Sequence, residues 1–179
     1  MLGEDGGYHL EKFFVNNLSR NFFVTLFSNH ALYSCGNGEE IILFSTPKLV
    51  KCEISPCISV LTPHSQTQPI FPMSGIVIAS SDDETQRKLL AKSKIPVITC
   101  GLSSKDTITF SSKEEECGVI SLMREVRSVF GNTIEPMEIP VSFPKHTEPF
   151  MVLAYTASLI LSEFVSTQND ANKTKFFQS

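Results

Sequence analysis

The sequence has no excess of positive charge. It contains 15 lysine and arginine residues against 19 aspartate and glutamate residues, which gives a formal net charge of −4. Proteins that coat nucleic acid need clustered basic residues to neutralise phosphates, so this role is disfavoured. The pairs Phe13-Phe14 and Phe22-Phe23 are accordingly interpreted as core residues rather than as platforms for base stacking.

Long hydrophobic runs are also lacking. The most apolar stretch, residues 151–165, is shorter than the roughly twenty residues that a membrane span needs, and Glu163 interrupts it. Residues 1–7 have neither the basic nor the apolar region of a secretory signal. We therefore predict a soluble, cytoplasmic protein without a membrane partner.

The cysteine content does not form a recognisable framework. Five cysteines are an odd number, and they are not accompanied by histidines at zinc-finger spacing. We predict small buried thiols in a reducing compartment and no metal site. The five are Cys35, Cys52, Cys57, Cys100 and Cys117.

Nucleotide-binding loops are absent from the sequence. Neither the phosphate loop G-x-x-x-x-G-K-[ST] nor the dinucleotide motif G-x-G-x-x-G occurs. A self-sufficient ATPase of the phosphate-loop class is thus excluded. No motif implies a cofactor, and a bound nucleotide is possible but no motif supports it. No recognisable set of catalytic side chains is present either.

What is present is the composition of a globular domain, with 179 residues of which 41% are hydrophobic. Periodicity predicts a helix over 8–20 and strands at 22–27, 41–44 and 57–61. The first 70 residues are expected to join the same sheet as the remainder, because these strands must bury their faces. The loop 62–74 is rich in proline and polar residues and is the candidate internal boundary.

The second part of the chain, 71–166, begins with a strand–helix–strand pattern. A strand at 75–79 is followed by a helix over 84–94, which Ser81 or Asp82 is expected to cap, and by a strand at 97–100. Further elements are strands at 107–110 and 119–122, a hairpin around Gly131-Asn132, and a buried helix over 150–165 with Thr147 as its cap. The predicted fold is α/β and Rossmann-like, a mostly parallel sheet with flanking helices and an antiparallel β-hairpin appendage. Residues 167–179 are expected to form a polar tail.

Two polar segments follow neighbouring strands of this predicted sheet. Ligands of open α/β sheets bind beyond the carboxyl ends of the strands, so the two segments form the candidate ligand site. A structural interpretation is also open, in which the carboxylates cap a helix and Gly101 permits a turn. The candidate residues are Ser80, Ser81, Asp82, Asp83, Cys100, Gly101, Ser103, Lys105 and Asp106.

Residues 76–161 resemble the second half of the central domain of Mur ligases, which are ATP-dependent enzymes of peptidoglycan synthesis. The resemblance rests on Ile76–Asp83 with the following helix, on Val97–Ser103, and on the hairpin and helix beyond. Residues 96–112 also resemble uncharacterised small proteins of Firmicutes, which implies a bacterial source. The family's phosphate loop has no counterpart here, and Ser80 stands where the family has asparagine. Asp82 and Asp83 match the family motif.

The resemblance implies a non-catalytic, Mur-ligase-like module that binds a small ligand or a protein partner, with a link to cell-wall metabolism. Two alternatives remain open at this point. One is a small enzyme with its site between 80–83 and 100–106, where Cys100, Lys105 or Asp106 would be reactive. The other is a structural partner that completes a split enzyme. The sequence leaves the oligomeric state undetermined.

Overall fold

The computed structural model describes residues 6–46, 51–63 and 75–165. Eleven strands form three sheets in this part of the chain, and three helices accompany them. The helices are α1 (Gly6–Leu18), α2 (Glu84–Leu90) and α3 (Pro149–Leu161). The strands are β1 (Phe23–Ser28), β2 (Leu32–Cys35), β3 (Glu40–Ser45), β4 (Ile58–Val60), β5 (Ile76–Ser80), β6 (Val97–Cys100), β7 (Ile108–Lys113), β8 (Cys117–Leu122), β9 (Val126–Arg127), β10 (Thr133–Ile134) and β11 (Met137–Ser142).

The largest sheet has six strands in the order β11-β8-β7-β6-β5-β4. Strands β4 to β7 run parallel, whereas β8 is antiparallel to both β7 and β11. A second sheet has the order β2-β1-β3, with β1 antiparallel to β2 and parallel to β3. Strands β9 and β10 form a short antiparallel pair.

The apolar helix α3 lies on one face of the six-stranded sheet. It contacts β4, β5, β6 and β7, and its residues from Val152 to Ala157 are all buried. An all-round apolar helix is expected to be buried in this way. Helix α1 contacts both α3 and β1, and buries Leu10, Phe14 and Leu18 at helical spacing. The core is therefore continuous from the six-stranded sheet to the three-stranded sheet.

Helix α2 covers the opposite face of the six-stranded sheet. Leu90 of α2 clusters there with Val77 and Ala79 of β5 and with Leu61. Strand β5 is consequently buried along its whole length, because α3 and α2 cover its two faces. This sandwich fixes where the carboxyl ends of β5 and β6 emerge.

The expected Rossmann-like, mostly parallel α/β fold is wrong. Within the described residues, four strand pairings are parallel and four are antiparallel, and the strands belong to separate mixed sheets. A hairpin is one physical reason, because a connection of only a few residues can join antiparallel strands but is usually too short to join parallel neighbours. Only residues 114–116 join β7 to β8, so these strands pair as a hairpin.

The strands of residues 1–70 are expected to join the same sheet as the remainder, but only β4 does so. Strands β1, β2 and β3 form a separate sheet, so the expectation is wrong for them. The predicted βαβ unit is confirmed, since β5 and β6 are parallel and α2 lies between them in the chain. The hairpin around Gly131 is shorter than predicted, and its second arm continues into β11. The tail 167–179 and most of the loop 62–74 lie outside the described residues.

Thr147 does not cap α3. The cap position belongs to Glu148, whose side chain makes no capping hydrogen bond, while the Thr147 hydroxyl donates to the carbonyl of Pro144 at 2.6 Å. Pro149 occupies the first turn of α3. None of the three described helices has both the length and the apolar character needed to cross a bilayer.

Candidate functional site

The two predicted polar segments meet at the carboxyl ends of β5 and β6. Ser80 is the register partner of Cys100, and the amide of Ser81 donates to the carbonyl of Cys100 at 3.1 Å. The two segments are therefore adjacent, as expected from the sequence. Their side chains, however, are largely engaged with one another and with the neighbouring backbone.

Asp83 is the residue that caps α2. Its Oδ1 accepts a hydrogen bond from the amide of Gln86 at 3.0 Å, and its carbonyl accepts from the amide of Arg87 at 3.0 Å. These are the bonds of a helix N-cap, in which a side-chain oxygen satisfies one of the free amides of the first turn. The expectation that Ser81 or Asp82 would cap the helix is wrong. Asp82 is exposed, and its amide donates to Ser80 Oγ at 3.3 Å.

Asp106 holds the turn that follows β6. Its Oδ2 accepts from the amide of Ser103 at 3.1 Å, and its own amide donates to the carbonyl of Ser103 at 2.9 Å. Ser103 Oγ in turn accepts from the amide of Lys105 at 3.2 Å, and Arg124 donates to the carbonyl of Asp106 at 3.1 Å. Asp106 is buried, while Ser103 and Lys105 are exposed. The turn is thus closed by its own hydrogen bonds.

Gly101 lies where these two segments are closest. A Cβ at this position would be 2.1 Å from Ser81 Oγ and 2.5 Å from Asp106 Oδ2. Both distances are shorter than any ordinary non-bonded contact. The described glycines with positive φ are Gly36, Gly38 and Gly131, so Gly101 is required by crowding and not by a left-handed turn. A serine hydroxyl and a carboxylate occupy the space above it.

Cys100 is completely buried at the end of β6. Burial raises the pKa of its thiol, and the nearby Asp106 carboxylate raises the pKa further. A nucleophilic cysteine requires the opposite environment, one that is accessible and electropositive. The geometry therefore does not favour Cys100 as a nucleophile.

The chemical capacity of the strand-end cluster is small. Asp83 and Asp106 serve as structural acceptors, and Cys100 is inaccessible. In the described part of the chain, no three metal-ligating side chains come together as a possible ion site. The arrangement explains how a loop and a helix are fixed to a sheet, but it does not by itself assemble a catalytic group.

A second surface, which the sequence argument missed, lies on the outer face of the three-stranded sheet. We call it the outer face and define it by five exposed apolar side chains on β1, β2 and β3. Leu32, Ile42 and Phe44 are 71%, 59% and 52% exposed. The complete set is Phe23, Phe27, Leu32, Ile42 and Phe44.

Strand register brings these residues together. Phe27 is paired with Leu32 on one side and with Phe44 on the other, so one row of large apolar side chains crosses all three strands. The rings of Phe27 and Phe44 are stacked, with centroids 4.9 Å apart and planes inclined by 8°. In the next row, Thr25 is paired with Ser34 on one side and with Ile42 of β3 on the other. The Thr25 hydroxyl lies 3.1 Å from Ser34 Oγ. The outer face is contiguous rather than a set of scattered side chains.

The signal for the outer face was present in the alternation of residues. The sequence predicts a strand at 41–44, and in the structure only Ile41 and Leu43 face the core, whereas Ile42 and Phe44 point outward. Successive strand residues alternate between the two faces, so an uninterrupted apolar strand has two apolar faces. In this chain only one of them is covered by the described residues.

Comparison of the chain with models of known protein families gives no match, and comparison with curated proteins gives none either.

Proposed function

We propose that this chain is a non-catalytic protein-binding module and that the outer face is its binding surface. The observation that carries the proposal is the row Leu32–Phe27–Phe44, which exposes large apolar side chains across three paired strands. Contiguous exposed apolar patches on soluble proteins mark interaction sites, whereas single exposed apolar residues do not. The partner would be a protein with a complementary apolar sheet or helix face.

The chemistry of the outer face supports a protein rather than a small ligand. The rings of Phe27 and Phe44 already stack on each other, so the space between them is filled and does not form a cleft. Small-molecule sites are usually concave and enclose most of the ligand. Aromatic residues are enriched in the centres of protein–protein interfaces, and the polar Thr25, Ser34 and Glu40 supply hydrogen-bonding groups beside them.

We also propose a cytoplasmic location and a link to cell-wall metabolism. All five cysteines are free thiols, which fits a reducing compartment. The link to cell-wall metabolism rests on the sequence resemblance to Mur ligases and stays a prediction. A partner that carries its own phosphate loop would agree with the alternative of a split enzyme, in which this chain is the non-catalytic component.

The test uses a photo-crosslinking amino acid placed at Phe44 and, as a matched control, at Phe130. Both phenylalanines are exposed, at 52% and 62%, but Phe130 lies in the turn between β9 and β10. We expect a discrete crosslinked protein from position 44 in extracts of the source cells and none from position 130. Excess unlabelled chain should suppress the product, and excess Ile42→Ser chain should not. Identical products from both positions, or none from position 44, would contradict the proposal.

Sedimentation equilibrium of the purified chain tests whether the partner is a second copy of the same chain. Self-association that Ile42→Ser weakens and Leu102→Ser leaves unchanged would assign the outer face to a homodimer. Leu102 is 63% exposed and follows β6, so its substitution removes a similar apolar side chain elsewhere. Equal effects of both substitutions would show that general surface hydrophobicity, and not the outer face, drives association.

A further inference from the structure

Two cysteines lie together at the edge of the six-stranded sheet. Cys52 and Cys57 flank the loop that leads into β4, and their side chains share a hydrogen bond. Each is a free thiol of intermediate exposure. By contrast, Cys100 is buried, and exposed Cys117 has Glu114 as its hydrogen-bond partner at 3.3 Å. Cys52 and Cys57 are therefore a pair with both mutual contact and access to solvent.

Contacts on both sides fix the positions of the two thiols. The carbonyl of Cys57 accepts a hydrogen bond from the amide of Ile76 at 3.1 Å, which anchors Cys57 beside β5. Cys52 packs against the apolar cluster beneath α2, which includes Leu61 and Val77. The Cys57 backbone and the Cys52 side chain are thus held at the same sheet edge, where the two side chains contact each other. Such proximity favours an intramolecular reaction over reaction with other molecules.

We propose that Cys52 and Cys57 form a reversible dithiol–disulfide pair, which is a thiol-modification site separate from the outer face. The oxidant is a small-molecule disulfide of the glutathione class. The thiolate of Cys52 attacks one sulfur of that disulfide, which forms a mixed disulfide and releases the first small thiolate. Cys57 then loses its proton and attacks the sulfur of Cys52, which forms the Cys52–Cys57 bond and expels the second small thiolate. The two protons lost by the cysteines neutralise the two released thiolates.

The order of attack follows from the environment of Cys57. Burial and the adjacent Cys52 thiol raise the pKa of Cys57 to about 11, so it is protonated near neutral pH. The thiolate is the attacking species in disulfide exchange. Cys57 therefore acts second, when the mixed disulfide on Cys52 presents a sulfur within its reach.

The structural consequence concerns the connection between the two larger sheets. Residues 46–57 lead from β3 of the three-stranded sheet to β4 of the six-stranded sheet. A bond between Cys52 and Cys57 would close a ring over residues 52–57, directly before β4.

The experiment equilibrates the full chain in glutathione buffers of increasing oxidation, followed by acid quenching, alkylation and tryptic mass spectrometry. Both cysteines fall in one tryptic peptide, 52–87. We expect this peptide to lose two hydrogen atoms in oxidising buffer without carrying a glutathione adduct, and to recover them on reduction. Cys57→Ser should stop at the mixed disulfide on Cys52, and Cys35→Ser should behave as the wild type.

A dithiol-specific trivalent arsenical gives a second measurement that does not depend on oxidation. Phenylarsine oxide should bind the wild-type chain at one equivalent, and dithiothreitol should reverse the binding. Cys52→Ser and Cys57→Ser should each abolish it, and circular dichroism checks that both variants are folded. Independent glutathione adducts on the two cysteines, without the internal disulfide and without arsenical binding, would overturn the proposal. Neither readout depends on the outer face, so failure here is distinguishable from failure of the proposed function.

Discussion

Replacement of Gly101 by alanine tests the crowded arrangement at the strand ends. The new methyl group would lie 2.1 Å from Ser81 Oγ and 2.5 Å from Asp106 Oδ2, so both side chains would have to move. Displacement of Asp106 also breaks its 3.1 Å hydrogen bond with the amide of Ser103. Overpacking of this kind costs about 1–3 kcal/mol.

An opposing effect reduces the net change. Glycine-to-alanine substitution stabilises a protein by about 0.4–1 kcal/mol through the unfolded chain, where the native conformation tolerates alanine. Gly101 is not among the positive-φ glycines, so this gain applies, but the overpacking term is the larger one. We expect Gly101→Ala to lower the free energy of unfolding by about 1–2 kcal/mol. At roughly 2–4 °C per kcal/mol for a chain of this size, Tm should fall by about 2–8 °C.

The assay is urea denaturation of a double-substitution cycle with Ser81→Ala. Removal of the Ser81 hydroxyl takes away the nearer of the two colliding atoms, while Asp106 still resists the new methyl group. Partial recovery is therefore expected, as a coupling free energy of about 0.5–1 kcal/mol between positions 81 and 101. Strict additivity of the two substitutions, or a wild-type stability of Gly101→Ala, would refute the argument that Gly101 is required by crowding.

Three further outcomes follow from the geometry of the described residues. Asp83→Ala should lower the free energy of unfolding by about 1 kcal/mol through loss of the α2 cap, whereas exposed Asp82→Ala should stay within about 0.5 kcal/mol of the wild type in the same urea titration. Cys100 should resist an alkylating reagent until urea unfolds the chain, and its early modification would show that β6 opens locally. Hydrogen bonds from Ser128 and Asn132 lower the pKa of Glu163. These bonds therefore stabilise the folded chain above the unfolded-state pKa of about 4.3, and their effect is lost as pH falls through the lowered folded-state pKa. Asn132→Ala should therefore destabilise the chain at neutral pH and not in acid, and an equal effect at both pH values would exclude this origin.

Elements with strong local signals could be predicted from the sequence. Strand β5, helix α2 and strand β6 follow from an apolar run, a capped polar helix and a second apolar run, and all three were located to within a few residues. Strand β2 was missed, because only four residues form it and three of them are exposed. Its formation depends on pairing with β1, which is a tertiary property.

The arrangement of strands could not be predicted in the same way. Periodicity reports which residues form a strand, but not which neighbour the strand pairs with. The predicted sheet extended the parallel pattern of β5 and β6 to the whole chain, whereas β8 pairs with β7 as a hairpin and β11 returns antiparallel to β8 after β9 and β10. Because β1, β2 and β3 form a separate sheet, the described residues leave one face of that sheet exposed.

A shift of one residue along the chain changes which candidate site residue caps α2. The cap position of α2 falls on Asp83 and not on Asp82, and this difference decides which carboxylate is held by the helix. A ligand that displaces Asp83 breaks the bond that Asp83 Oδ1 accepts from the amide of Gln86, and one that displaces Asp106 breaks the bond that Asp106 Oδ2 accepts from the amide of Ser103. Loss of the first bond leaves the amide of buried Gln86 without its acceptor unless the ligand supplies one, and such a loss costs about 1–3 kcal/mol. Binding on the outer face carries no such cost, because its apolar side chains are covered by water that is released when a partner docks. For this reason the free energy of association is more readily gained on the three-stranded sheet than at the strand ends.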